Sequence, residues 1–166
     1  MPVSSGKAKV TLPTDEQILI VREFDAPKQL VYKALTTPEL VKRWFHANRG
    51  SVKSAEIDLR VGGRWRYVSE ADSFGEIGFH GEYRELVPDE RIVWTEFYEG
   101  VPEGVAEEDA TTVNTATLTE SDGRTTLTVL IQAPSKAARD AIIESGMEAG
   151  MQDAYDLLEE VAQSLR

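Results

Sequence analysis

The chain contains no cysteine. Disulfides, thiolate metal sites and a cysteine nucleophile are therefore excluded. The absence fits a reducing compartment, and a cytoplasmic location is expected. Histidine is scarce as well: only His46 and His80 occur. That leaves no His-rich metal site, and no EF-hand spacing is present, so neither metal nor cofactor is expected. Positive charge is also in short supply, with 18 Lys and Arg against 29 Asp and Glu and a formal net charge of −11. Nucleic acid and anionic membrane both select clustered positive charge, so neither is expected as a partner. No apolar run approaches the roughly 20 residues of a membrane span. The opening segment, MPVSSGKAKVTLPTDEQ, lacks the apolar centre of a signal peptide. Residues 1–15 read as a flexible leader and residues 16–166 as a single domain. There is no GxSxG elbow. The turn Val61-Gly62-Gly63-Arg64 lacks the fuller glycine pattern and lysine of a phosphate loop.

What the chain does have is a globular share of apolar residues, 41%, arranged in two periods. From Ser135 to Arg166, apolar residues recur at Ile143, Met147, Met151, Ala154, Leu158, Val161 and Leu165. Steps of three and four predict one long amphipathic helix, capped by Ser135. At 1.5 Å per residue it would run roughly 45 Å. One apolar stripe of that length needs one large apolar surface. Upstream, period-two segments predict strands over 17–24, 51–58, 64–70, 77–87, 91–98, 112–120 and 124–131. After the first strand, Asp25 and Pro27 start a short helix, and Pro38 starts another that runs through Trp44. The expected class is α+β: a curved antiparallel sheet of six or seven strands wrapped around a long C-terminal helix, with two short helices after the first strand. The acidic segment 99–110 reads as a solvated loop.

Several stretches carry a resemblance. They are VREFDAPKQLVYKALTTPELVKRW (21–44), EIDLRVGGRWRY (56–67), GFHGEYRELVPDERIVWT (78–95), GRTTLTV (123–129), and Gly146 and Gly150 in the long helix. Taken in order, they resemble the helix-grip, START-like superfamily (SRPBCC). The nearest branch is the one named after the C-terminal domain of the activator of heat-shock protein 90 ATPase. The resemblance implies a cavity between sheet and helix that takes a hydrophobic or amphipathic small molecule. It implies two further readings: a cyclase- or dehydratase-like enzyme, and a co-chaperone-like interaction protein. Co-chaperone members carry a second domain with no counterpart in this sequence, which sets ATPase activation behind ligand binding.

The candidate lining residues are the aromatics Trp44, Phe45, Trp65, Tyr67, Phe79, Trp94 and Phe97, with Met147, Met151 and Tyr155 from the long helix. Rigid aromatic walls and adaptable Met side chains suit an apolar ligand, although each one singly is also an ordinary core residue. His46, just after Trp44 and Phe45, is the one acid–base candidate, with an exposed loop histidine as its plainer reading. His80 alternates with Phe79, so it points outward if Phe79 points in. Glu56, Asp58, Arg60, Arg64 and Arg66 read as cross-strand pairs on the outer face. A homodimer through sheet edges or the short helices is a further possibility.

Overall fold

The computed structural model describes residues 7–71 and 75–166. Eight antiparallel strands form one open, curved sheet: β1 (Lys9–Thr11), β2 (Gln17–Phe24), β3 (Gly50–Ile57), β4 (Arg64–Ala71), β5 (Gly75–Val87), β6 (Arg91–Tyr98), β7 (Thr112–Ser121) and β8 (Arg124–Gln132). Their order is β1-β2-β8-β7-β6-β5-β4-β3. From β3 to β8 the chain is a meander, because short connections leave antiparallel neighbours as the only short path. The two short helices, α1 (Lys28–Thr36) and α2 (Pro38–Trp44), cross from β2 to the far edge strand β3.

Several expectations need correction. The sheet has eight strands rather than six or seven. The extra one lies inside the segment read as a leader, where Lys9–Thr11 pair with Leu19–Val21. A three-residue strand is too short to show as period two in a sequence. The segment is tied further along its length. The Ala8 N–H donates to Gln152 Oε1 at 2.9 Å, Gln152 Nε2 donates to the Ala8 carbonyl at 2.9 Å, and Arg139 Nη1 donates to the Thr14 carbonyl at 2.8 Å. Residues 1–6 of that leader lie outside the described residues.

The C-terminal helix is not continuous. It breaks into α3 (Lys136–Glu144) and α4 (Met147–Ser164). Gly146 takes the left-handed conformation, with φ +83°, and ends α3. Ile143, assigned to the gripping stripe, is 38% exposed because it lies before this break. Ser135 does cap α3, its Oγ accepting the Ala138 N–H at 3.0 Å. Asp25 does not cap α1: Pro27 holds the cap position, and the Asp25 N–H donates to Glu159 Oε2 at 2.7 Å.

Alternation decides which side chains face α4. On β2, Ile18, Ile20, Arg22 and Phe24 are buried while the residues between them are more open. Across the registered partners Val129 and Leu127 of β8, and Ala116 and Leu118 of β7, the same face continues as apolar core. α4 packs along α1 and α2 over this concave surface. Its C-terminal half is tight, with Leu158 at 0%, Val161 at 3% and Ala162 at 0% exposure.

Candidate functional site

The N-terminal half of α4 stands off the sheet and leaves a cavity of about 730 Å³. It lies within the range of small-molecule sites, and its lining is largely apolar. Met147, Met151 and Tyr155 project into it from α4, and Trp44, Phe45 and His46 from the end of α2 and the turn that follows. The sheet supplies Trp65 and Tyr67 from β4, Phe79 from β5 and Trp94 from β6. Ten of the residues singled out in the sequence thus meet in one space.

Phe97 does not join them. It stacks on His80 with ring centroids 5.2 Å apart, on the face of the sheet opposite Phe79 and Trp94. The reason is the strand period: residues 94 and 97 are an odd number apart and must point to opposite faces. The partner of Trp94 on the concave face is Glu96, which the sequence reading passed over.

In the aromatic wall Phe45 meets two rings edge to face, Tyr67 at 4.9 Å and Phe79 at 5.6 Å between centroids, and Trp65 lies tilted 4.7 Å from Tyr67. Two indoles are anchored by backbone acceptors. Trp44 Nε1 donates to the Ala34 carbonyl at 2.9 Å, and Trp65 Nε1 donates to the Thr95 carbonyl at 3.1 Å. The second bond needs the bare backbone of Gly81, where a Cβ would collide with the Thr95 carbonyl and crowd the Trp65 indole.

Polar groups in the interior are few. Trp94 Nε1 donates to Glu96 Oε1 at 3.3 Å. Burial pushes the Glu96 carboxyl up from its ordinary value, and the Trp94 bond offsets part of that rise. Glu96 in turn acts electrostatically on Tyr67 of β4 and Tyr155 of α4, so it lies within reach of both. Burial first, and then the Glu96 charge, hold the Tyr155 phenol above its usual range. Burial also raises Tyr67 well above its usual range and Tyr83 to about 12, and the two phenols act on one another. Asn114, paired with Trp94 across β6 and β7, is 3% exposed and donates to Thr112 Oγ1 at 3.0 Å. Glu96, Tyr83 and Asn114 are among the lining residues that the sequence reading missed. Glu96 was within reach, since it follows Trp94 by two in a strand.

The mouth lies between the turn after α2, the end of β4 and the start of α4. His46, Asn48, Ser51 and Glu70 surround it. Ala47 and Asn48 both take left-handed φ, 53° and 60°, so this turn is conformationally demanding. Within it, His46 Nδ1 accepts the Asn48 N–H at 3.0 Å. The imidazole proton of neutral His46 is therefore on Nε2. Arg49 closes one side through an ion pair with Asp153 of α4, at 2.9 Å.

On the outer face, Arg66 of β4 grips Glu99, just past β6, at 2.9 and 2.7 Å, while Arg60 pairs with Asp58 at 2.8 Å within the loop between β3 and β4 rather than across strands. His80 points outward and bridges Glu99 and Glu107 at 2.7 and 3.1 Å. The segment read as a free acidic loop is thus tied to the sheet. Among the described residues, no cluster of three or more His, Asp or Glu side chains could hold a metal ion. No described helix is long and apolar enough to cross a membrane.

Solved structures share this architecture. A crystal structure of a protein from Rhodobacter sphaeroides matches with TM-score 0.84 and 24% identity, covering 96% of this chain and 100% of that one. A protein from Mycobacterium smegmatis, Ms6760, matches with TM-score 0.83 and 18% identity, covering 97% and 100%. A solution structure from Arthrobacter aurescens matches with TM-score 0.81 and 21% identity, covering 94% and 91%. At these identities the likeness establishes the helix-grip fold. No curated protein matches the chain. The profile of one family spans residues 25–163, running from the first helix to the end of α4, and by it the chain belongs to the family described as "Activator of Hsp90 ATPase homolog 1-like protein".

Proposed function

We propose that this protein binds a hydrophobic or amphipathic small molecule between the curved sheet and α4. One observation carries the reading: the cavity of about 730 Å³ with an aromatic and aliphatic lining. A chain of this size gains stability by closing such a space, at about 25 cal/mol per Å² of apolar surface buried. Here the Trp, Tyr and Phe side chains are braced against one another around the space rather than collapsed into it. A preformed apolar pocket with a few oriented polar groups suits ligand capture. An aqueous reducing compartment such as the cytoplasm fits the absence of cysteine.

The test is native mass spectrometry of the purified protein, followed by denaturing extraction, together with titration of a neutral fluorescent naphthyl probe. A stoichiometric ligand, or saturable probe binding, is expected. Ile131→Trp, which fills part of the cavity, should weaken binding strongly, whereas Phe97→Ala on the opposite face should not. Equal binding by both variants would place the probe elsewhere and defeat the proposal.

Glu96 favours a second reading, an enzyme of cyclase or dehydratase type. A carboxyl held towards its neutral form in an apolar space can transfer a proton near neutral pH. In that case Glu96→Gln abolishes turnover of a cyclising or dehydrating substrate and leaves its affinity in place.

A further inference from the structure

We propose that the cavity selects a lipophilic amine, with the ligand's ammonium seated against Glu96 and its apolar body against the aromatic wall. This rests on the ligand-binding reading above and adds the charge of the ligand to it.

Three independent observations carry the assignment. The first is the charge inventory of the interior. Glu96 lines the cavity, and its side chain accepts a hydrogen bond from the Trp94 indole, a neutral group. Among the described lining residues the only basic ones are His46 and Arg49, both at the mouth, and Arg49 is held by Asp153. The buried cation nearest this end of the sheet, Arg22, is committed to Asp156 and Glu159 at 2.9 and 3.0 Å. The interior therefore offers an acid whose complementary cation is not supplied by the lining. A buried charge is tolerated when it is paired, and a bound ammonium would supply the pair.

The second observation is the nature of the walls. Trp94 stands beside Glu96 on β6, and Tyr67 of β4 and Tyr155 of α4 line the same cavity within electrostatic reach of it. Aromatic faces attract cations through the ring quadrupole, most strongly when water is excluded. The faces of the same rings repel an anion. The Asn114 amide is already engaged with Thr112. An anionic ligand would meet Glu96 without a counter-charge. A neutral ligand would gain burial alone.

The third observation is the field of the whole chain. A net charge of −11 favours the approach of cations and opposes that of anions. Glu70 at the mouth has the same sign.

The experiment is isothermal titration calorimetry at low salt with three probes of matched shape: naphthalen-1-ylmethylamine, naphthalen-1-ylmethanol and 1-naphthoate. The amine should bind at least about tenfold more tightly than the alcohol, with the acid weakest, as expected for one charge-assisted hydrogen bond. Glu96→Gln should bring the amine to within about threefold of the alcohol while leaving alcohol binding intact, which also shows that the variant is folded. Glu70→Gln at the mouth should leave the preference unchanged. If the alcohol binds as well as the amine, the charge assignment falls and the cavity reading stands. If Glu70→Gln rather than Glu96→Gln removes the preference, the cation sits at the mouth and the assignment to Glu96 falls. If none of the three probes binds, the ligand-binding reading itself fails.

Discussion

Arg22 of β2 and Glu159 of α4 form an ion pair at 3.0 Å in which the arginine side chain has no exposed surface. The guanidinium also reaches Asp156 at 2.9 Å and lies 5.0 Å from the Phe24 ring. Glu159 extends the contact by accepting the Asp25 N–H. This network pins the tight half of α4 to the sheet and so sets how far its other half stands off. Removing one partner of a buried pair typically costs about 3–5 kcal/mol, because the other charge stays buried. Arg22→Met should therefore destabilise the protein by about that much in urea unfolding. Combining it with Glu159→Leu should recover part of the loss. A single-variant cost under about 1 kcal/mol would mean the pair is hydrated in solution.

α4 should respond to truncation unevenly along its length. Leu158 is fully buried, so Leu158→Ala removes packed methyls and leaves a void, at a cost of about 2–5 kcal/mol. Met151 faces a space that is already open, so Met151→Ala removes fewer contacts and should cost less than about 1 kcal/mol. Equal costs in chemical denaturation would mean that the cavity is closed in solution and that Met151 is packed core.

Much of this architecture was legible in the sequence because it rests on periodicity and punctuation. Seven strands, two Pro-started helices and the apolar stripe of α4 all repeat at fixed spacings. The break at Gly146 was not legible, since a glycine inside a helical pattern signals either tolerance or a stop, and only its left-handed φ decides. β1 is short, and its pairing partner is separated by a turn with no strong signature. For the site, most lining residues were visible as aromatics, but the chemistry was not. Trp94 and Phe97 were taken together as aromatics, whereas the strand places Trp94 with Glu96. In the same way, Arg22 stands in the buried alternation Ile18, Ile20, Arg22, Phe24, where a charge calls for a buried partner. Its partners Asp156 and Glu159 lie more than 130 residues away, a separation over which local pattern carries no information.

The outer-face cluster should give the protein a pH-dependent loop. Burial alone would lower the His80 imidazole, but hydrogen bonds to Glu99 and Glu107 outweigh it and leave the group raised. The stability it contributes is full below the unfolded value of about 6.5 and is lost as pH rises through the raised folded value. Glu99 runs the other way. Arg66 first, then His80, hold it down at about 2. Its contribution is present above the ordinary glutamate value of about 4.3 and is lost as pH falls towards 2. The cluster is therefore strongest between roughly pH 4.5 and 6.5. His80→Gln should destabilise the protein most in that window and least above about pH 8, by less than about 1 kcal/mol because the groups are partly solvated. Limited proteolysis within residues 100–106 should accelerate over the same rise in pH. A variant deficit independent of pH would mean that His80 contributes by packing on Phe97 rather than by charge.

Glu96 should be a stability liability that a cationic ligand relieves. Burial raises its carboxyl above the unfolded value of about 4.3, so in the pH range between the two values the folded state binds more protons than the unfolded chain. By linkage, its contribution is most favourable below about pH 4 and is lost as pH rises through the raised folded value. The phenols on which the Glu96 charge acts, Tyr67 and Tyr155, are both raised and do not titrate in this range. Glu96→Gln keeps the Trp94 acceptor and removes the ionisation. The variant should thus melt above the parent at neutral pH, with the gap closing on acidification towards about pH 3.5. Such a gain from neutralising one cavity residue is the usual mark of a group retained for function at the expense of stability. Saturating naphthalen-1-ylmethylamine should stabilise the parent more than the variant and so narrow the gap at pH 7. A variant that melts below the parent at every pH would mean that ionised Glu96 already has its counter-charge within the fold.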